Sequence, residues 1–374
     1  MFQLLHKDKS CGARLGLLTT AHGEINTPVF MPVGTQGTVK ALSNDELKDA
    51  GAEIILGNAY HLYLRPGLDI IRKAGGLHKF MGWDRPILTD SGGYQVFSLA
   101  KLRKLSDDGA EFSSHIDGSR HLLTPEKVIN IQQALGSDII MVFDECVHYP
   151  AARDYVEQSL GLTTGWARRS KEHFDNSPAK GRQLLFGIVQ GGTYMDLRER
   201  AVKELLNIGF DGYAIGGVSV GESRDLIREI TGHTTSLLPE EKPRYLMGVG
   251  MPQDILEAIA LGSDMFDCVV PTRNGRNGQA FTFNGDIQLR NAEYKEDFSP
   301  IDEACGCFAC RTHTRSYIRH LFNTEELLGL RLVSLHNMHF YVKLIRLSRK
   351  AIAKDRFASF KDEFAAKYNK ENNR

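Results

Sequence analysis

The sequence predicts an α/β fold, a (β/α)8 TIM barrel with a zinc-binding subdomain inserted after strand 8. Three observations lead there. Eight short apolar runs recur through the first 270 residues, most of them followed by a segment of helical period. No internal repeat or low-complexity linker divides the chain, and a tight CxCxxC cluster stands after the eighth run. Apolar runs of strand length alternating with helical segments build parallel sheets. Eight strands buried on both faces favour closure into a barrel over an open doubly wound sheet.

The runs lie at 27–33, 53–56, 87–89, 139–143, 184–189, 213–215, 244–247 and 265–269, and the clearest helical segments at 125–135, 196–208 and 252–261. Pro125 and Pro252 suit the first turn of a helix, where a missing N–H costs nothing. Residues 98–123 read as an irregular excursion, and the whole chain, 1–374, as a single barrel domain holding a zinc-binding insert at approximately 295–345.

Barrel enzymes place their chemistry where strands end and βα loops begin. The third run ends in Asp90, the fourth in Asp144 and the fifth in Gln190. The sixth leads into Gly216 and Gly217, the seventh into Met247 and Gly248, and the eighth carries Asp267. A single aspartate at a strand end is as readily a cap or a loop clamp. Three on one rim suit glycosidic chemistry, in which one carboxylate attacks or stabilises the anomeric carbon and another shuttles the proton. The remaining carboxylate, with Gln190 and a backbone group at Gly217, could read the edge of a purine-like base. Tyr94 and Met247 offer apolar faces for stacking, although such residues are as often plain core. No histidine stands at metal-ligand spacing beside these aspartates, and the glycine pairs form neither GxGxxG nor GxxxxGK, so metal-assisted hydrolysis and nucleoside triphosphate use are unsupported.

Cys305, Cys307 and Cys310 are too closely spaced to pair easily as disulfides, and the chain is far too long to depend on them. Thiolates with one imidazole make a closed tetrahedral zinc site, which holds a fold together and leaves no position for substrate. His313, His320, His336 and His339 all follow the cluster. His336, 26 residues on in a helical stretch, is the preferred fourth ligand, because His313 lies too close to fold back.

Equal numbers of basic and acidic residues, 46 each, argue against indiscriminate nucleic-acid binding. Between residues 311 and 356, however, ten lysines and arginines face three acids, which reads either as a solvated helix face or as a surface tracking phosphates. A mean hydropathy of −0.28 and the lack of a long apolar run give no expectation of membrane association. The N-terminus lacks a signal-peptide core, and a thiolate metal site suits a reducing compartment, so a cytoplasmic protein is expected.

The chain resembles the bacterial-type tRNA-guanine transglycosylases, also known as queuine tRNA-ribosyltransferases. The likeness runs through TPVFMPVGTQGTVK, ILGNAYHL, LTDSGGYQVFSL, MVFDEC, GIVQGG, YAIGG, YLMGVG, MFDCVVPTRNGRNG, CGCFAC and the LHN around His336. It implies an enzyme that exchanges the guanine at the wobble position of tRNAs with a GUN anticodon for a 7-deazaguanine base, usually 7-aminomethyl-7-deazaguanine, the queuosine precursor. By that resemblance Asp267 is the nucleophile that forms a covalent enzyme–tRNA intermediate, and Asp90 the general acid/base. Asp144, Gln190, Gly217 and Val218 match base-reading positions, Tyr94 and Met247 sandwich the base, and Ser91, Cys146 and Glu222 match positions nearby. Arg273 and Arg276 match residues that hold the anticodon loop. Cys305, Cys307, Cys310 and His336 match the ligands of one structural Zn2+ per subunit. The family commonly forms homodimers, and Tyr317 and His320 match interface positions.

Two stretches depart from the expected pattern: GGVSVGE stands where something like GGLAVGE is expected, and DECVHYP where DECTPYP is expected. These leave the identity of the incoming base open, although a branched Val220 narrows the space for a large substituent and favours the aminomethyl base over queuine.

Overall fold

A computed structural model describes residues 1–99 and 103–372. Its centre is a closed barrel of eight parallel strands in chain order. They are β1 (Val29–Gly34), β2 (Ile55–Gly57), β3 (Ile87–Thr89), β4 (Ile139–Met141), β5 (Leu184–Val189), β6 (Gly212–Ile215), β7 (Arg244–Leu246) and β8 (Met265–Cys268). The ring closes where Met265 to Cys268 pair with Val29 to Pro32. Each strand falls within two residues of its apolar run, because a strand buried on both faces has no polar face to blur its limits. Ile87, Leu88, Ile139, Ile140 and Leu185 are fully buried, each such side chain contributing roughly 1.5–3 kcal/mol.

Local signals set the helices. Pro125–Leu135 begins behind Thr124, whose side chain accepts the Lys127 amide, and ends at Gly136 in the left-handed conformation. Met195–Ile208 and Pro252–Ala260 occupy the other predicted positions. The predicted excursion contains a three-stranded antiparallel sheet, Arg103–Ser106, Gly109–Ser113 and Arg120–Leu123, while its residues 100–102 lie outside the described ones.

A further antiparallel sheet precedes the barrel, formed by Phe2–Lys7, Arg14–Thr20 and Gly23–Thr27. It meets the N-terminal ends of the barrel strands through two buried aspartates. Arg14 grips Asp264, one residue before β8, through Nε at 2.8 Å and Nη2 at 2.6 Å. His22 Nδ1 lies 2.8 Å from Asp138, one residue before β4.

After β8 the chain makes a short helix (Val270–Arg276) and a hairpin (Gln279–Thr282 with Gly285–Gln288). Two more short helices, Phe308–Thr312 and Arg315–Asn323, precede the long helix Leu327–Ile352 that returns to the barrel. This region owns a second apolar core, in which Ile301, Ile318, Phe322 and Leu332 surround the three cysteines. Part of its basic excess is spoken for. Arg331 pairs with Glu46, Arg349 with Glu53 and Arg315 with Asp297, so these side chains tie elements together and are not a bare phosphate-tracking row.

Candidate active site and metal centre

One cavity of about 820 Å3 opens at the C-terminal ends of the strands. Asp90, Asp144, Gln190 and Asp267 line it, as the strand-end reading predicts. Ser91, Tyr94, Cys146, Gly217, Val218, Met247 and Arg273 line it too. Glu222 and Arg276 are not on its wall. The Glu222 carboxylate instead accepts the Val220 amide at 2.8 Å, bracing the loop after β6.

Asp90 is held from the β2 end. Asn58 donates to its Oδ2 at 2.5 Å and the Ala59 amide to its Oδ1 at 3.0 Å. Asn58 also caps the helix Ala59–Leu64 by accepting the His61 amide, so one residue orients both the helix and the carboxylate. Burial pushes the Asp90 carboxyl up to about 7, and the nearby charges of Asp267 and Asp144 add to the rise against the pull of the Ala59 amide. A carboxyl titrating there can both give and take a proton at neutral pH.

Asp267 accepts the Tyr245 hydroxyl at 2.6 Å and the Gly248 amide at 2.9 Å, both on Oδ1. Burial raises its pKa, and those two donors oppose the rise. With both donors on one oxygen, no bond from a described residue reaches Oδ2.

Asp144 forms a separate group. Its Oδ1 accepts Ser91 Oγ at 3.0 Å and its Oδ2 accepts Gln190 Nε2 at 2.7 Å. Burial lifts this carboxyl to about 6, with the Gln190 and Ser91 donors pulling the other way. The Gln190 amide packs so closely on Gly217 that a Cβ there would lie 2.2 Å from Gln190 Oε1, and Gly217 itself has φ +61°. Only glycine satisfies both conditions. Tyr94, half exposed, stands on the helix Gly93–Leu99, and Met247 follows β7, so an apolar side chain reaches the cavity from each of these elements.

Three residues of the site escaped the sequence reading: Asn58, Tyr245 and Arg198. All are buried and act on other side chains or on the backbone, and nothing in their local pattern sets them apart.

The metal centre lies in the second core. The ligand atoms of Cys305, Cys307, Cys310 and His336 all fall within 4.8 Å of one another, and all four residues are buried. His336 Nδ1 stands 3.2 Å from Cys310 Sγ and 3.7 Å from Cys307 Sγ. Its Nε2 lies 2.9 Å from the Phe281 carbonyl, an arrangement that places the proton on Nε2 and turns the Nδ1 lone pair to the cysteines. Four donors of this chemistry, closed off from solvent, fit a structural zinc ion with no position for substrate. His339, three residues on, lies 3.5 Å from Cys305 Sγ but outside the group of four.

A second group of potential ligands, His22, His78 and Asp138, lies at the opposite end of the barrel. There the two imidazoles stack at 3.6 Å with 14° between planes. An ion between parallel rings would sit out of the plane of both, so the arrangement suits hydrogen bonding to one carboxylate and not metal binding.

The sequence profile of the queuine tRNA-ribosyltransferase family matches residues 8–370. Among curated proteins, the queuine tRNA-ribosyltransferase of Caldanaerobacter subterraneus subsp. tengcongensis is 60% identical over 367 residues, covering 98% of this chain and 97% of the relative. Those of Thermoanaerobacter pseudethanolicus (59% identical; 98% and 97% covered) and Solidesulfovibrio magneticus (58% identical; 95% and 95% covered) are similar to nearly the same extent. On both counts, the match of the profile and the identity over almost the whole chain, this protein belongs to the queuine tRNA-ribosyltransferase family.

Proposed function

We propose that this chain is a tRNA-guanine transglycosylase that exchanges guanine at the wobble position of tRNAs with a GUN anticodon for 7-aminomethyl-7-deazaguanine, through a covalent enzyme–tRNA intermediate. The observation that carries the reading is the pairing of two half-buried carboxylates on one cavity wall in different settings. Asp90, lifted to about 7, suits proton transfer, while Asp267 is steadied by Tyr245 and Gly248 on one oxygen.

In the first half of the reaction Asp267 Oδ2 attacks C1′ of the wobble nucleoside. The N-glycosidic bond breaks, its electron pair leaves with guanine, and Asp90 supplies the proton that guanine takes. An ester between Asp267 and the ribose results. In the second half Asp90, now a carboxylate, takes the ring proton of the incoming base, whose nitrogen attacks C1′ and releases Asp267. One N-glycosidic bond replaces another of similar energy, so the exchange needs no nucleotide cofactor.

Asp144 accepts from the N–H groups of the base, Gln190 and the amides of Gly217 and Val218 meet its carbonyl side, and Tyr94 and Met247 enclose its faces, with Ser91 and Cys146 completing the wall. Glu222 shapes the loop that meets the exocyclic substituent. Arg273 and Arg276 contact the anticodon loop, whose target base leaves its stack to enter the cavity. The zinc-binding insert at approximately 295–345, within one barrel domain, braces this surface, and a homodimer through the Tyr317 and His320 region in the cytoplasm completes the reading.

The experiment is a chase. tRNA carrying labelled guanine at the wobble position is incubated with the enzyme and either 7-aminomethyl-7-deazaguanine or queuine. Loss of label with the aminomethyl base alone supports the biosynthetic reaction; efficient exchange with queuine would assign salvage instead. No loss with either would leave a noncatalytic tRNA-binding subunit.

A further inference from the structure

Arg198 lies on the helix Met195–Ile208, fully buried, with no carboxylate within ion-pair reach among the described residues. A buried guanidinium without a counter-charge is costly and calls for an explanation. Burial lowers its pKa to about 10, against the more distant charges of Glu222 and Cys146. Its donors end on backbone carbonyls alone: Gly192 at 2.8 Å, Gly216 at 3.0 Å, Val189 at 3.3 Å and Gly217 at 3.4 Å. The backbone is cut away to admit it. A Cβ on Gly191 would lie 2.9 Å from the Arg198 nitrogen and 3.0 Å from its Cγ.

A trans peptide sets each C=O opposite to the N–H that follows it. Drawing the Gly216 and Gly217 carbonyls toward Arg198 therefore turns the Gly217 and Val218 amides the other way. Both residues line the cavity, and neither amide has an acceptor among the described residues. Two adjacent unpaired donors at the wall of a pocket make a receptor for an oxygen acceptor.

The geometry points to Arg198 as a positioning residue for base specificity, which by fixing two successive peptides makes the site demand a heterocycle carrying a carbonyl oxygen. This rests on the base-exchange reading above, and it adds a determinant that touches neither substrate nor the reacting carboxylates.

The test compares Arg198→Met with the wild-type enzyme in labelled-guanine incorporation into tRNA, with 2-aminopurine, which lacks the 6-oxygen, as competitor. Exchange by the wild type comes first; if it is absent, the transglycosylase reading fails and not this one. In the variant the KM for guanine should rise about tenfold, equivalent to about 1.4 kcal/mol, with kcat little changed. The preference for guanine over 2-aminopurine should fall by a similar factor. A residue that only fills space would lower Tm and leave that preference intact, and that result overturns the proposal. Should Arg198→Met not fold, Arg198→Lys keeps the charge but cannot span the four carbonyls. A smaller loss of preference is expected there, and an unchanged preference overturns the proposal equally.

Discussion

At the bottom of the barrel Asp138 accepts the amides of Ile87 and His22 and faces two imidazoles, and Asp264 is gripped by the Arg14 guanidinium. At the rim Asp144 is buried while Asp90 and Asp267 are half-buried in the cavity wall, and every bonded donor is neutral: an amide, a hydroxyl or a carboxamide. The consequence shows in their ionisation. Burial acts to raise Asp138 but is outweighed by His78, the Ile87 amide and His22, and its pKa falls. Asp90, Asp144 and Asp267 all rise. One end of the barrel spends its buried charge on stability, while the other holds carboxyls where their environment disfavours charge, the setting that the proposed proton transfer and nucleophilic attack call for.

The largest effect is expected at the bottom of the barrel. Arg14→Met leaves Asp264 buried without its cation, and a loss on the order of 3–5 kcal/mol is expected in denaturant unfolding. A loss below about 1 kcal/mol would mean that the pair is not structural. At the rim the sign reverses. Asp144 is raised from an ordinary 3.8 to about 6, so its favourable contribution is complete below pH 4 and disappears as pH rises through 6. Asp144→Asn should therefore be more stable than the wild type above pH 6, on the order of 1–2 kcal/mol, with the gap closing in acid and base exchange lost. Equal stability at both pH values would remove the contrast between the two ends.

Proton transfer gives a third reading. In the proposed reaction, expulsion of guanine needs Asp90 protonated, and burial lifts its carboxyl to about 7. Single-turnover formation of the covalent complex should fall as pH rises above 7, approaching tenfold per unit. A flat profile between pH 6 and 9 would take the proton away from Asp90. The smallest effect belongs to Asp138→Asn, expected to cost about 1 kcal/mol through poorer acceptance of two amides and two imidazoles. Its stability deficit should shrink in acid, where the wild-type carboxylate also protonates, and base exchange should be unaffected.

Much of this was legible in the residues because the features are local. Runs such as 184–189 are uniformly apolar, and an aspartate just past such a run falls on the rim by the geometry of the barrel alone. The metal ligand was harder: His336 and His339 share one helix three residues apart, and the Phe281 carbonyl that orients His336 comes from a hairpin 55 positions earlier. Arg198 was invisible. It shares its helix with Arg200, which pairs with acids at the surface, and only the glycines at 191 and 216–217 hint that the backbone makes room for something. Tyr245 reads as one more apolar strand residue until its hydroxyl is found on Asp267. The N-terminal sheet was missed because its first strand alternates between half-buried and exposed positions and shows no strong apolar run.

The most direct measurement is a denaturing gel of enzyme incubated with tRNA, comparing the wild type with Asp267→Asn and scoring tRNA binding separately under native conditions. The wild type should give a band of covalently joined enzyme and tRNA and the variant none, while both bind tRNA under native conditions. A covalent band that survives in Asp267→Asn would place the nucleophile elsewhere and overturn the proposed displacement at Asp267.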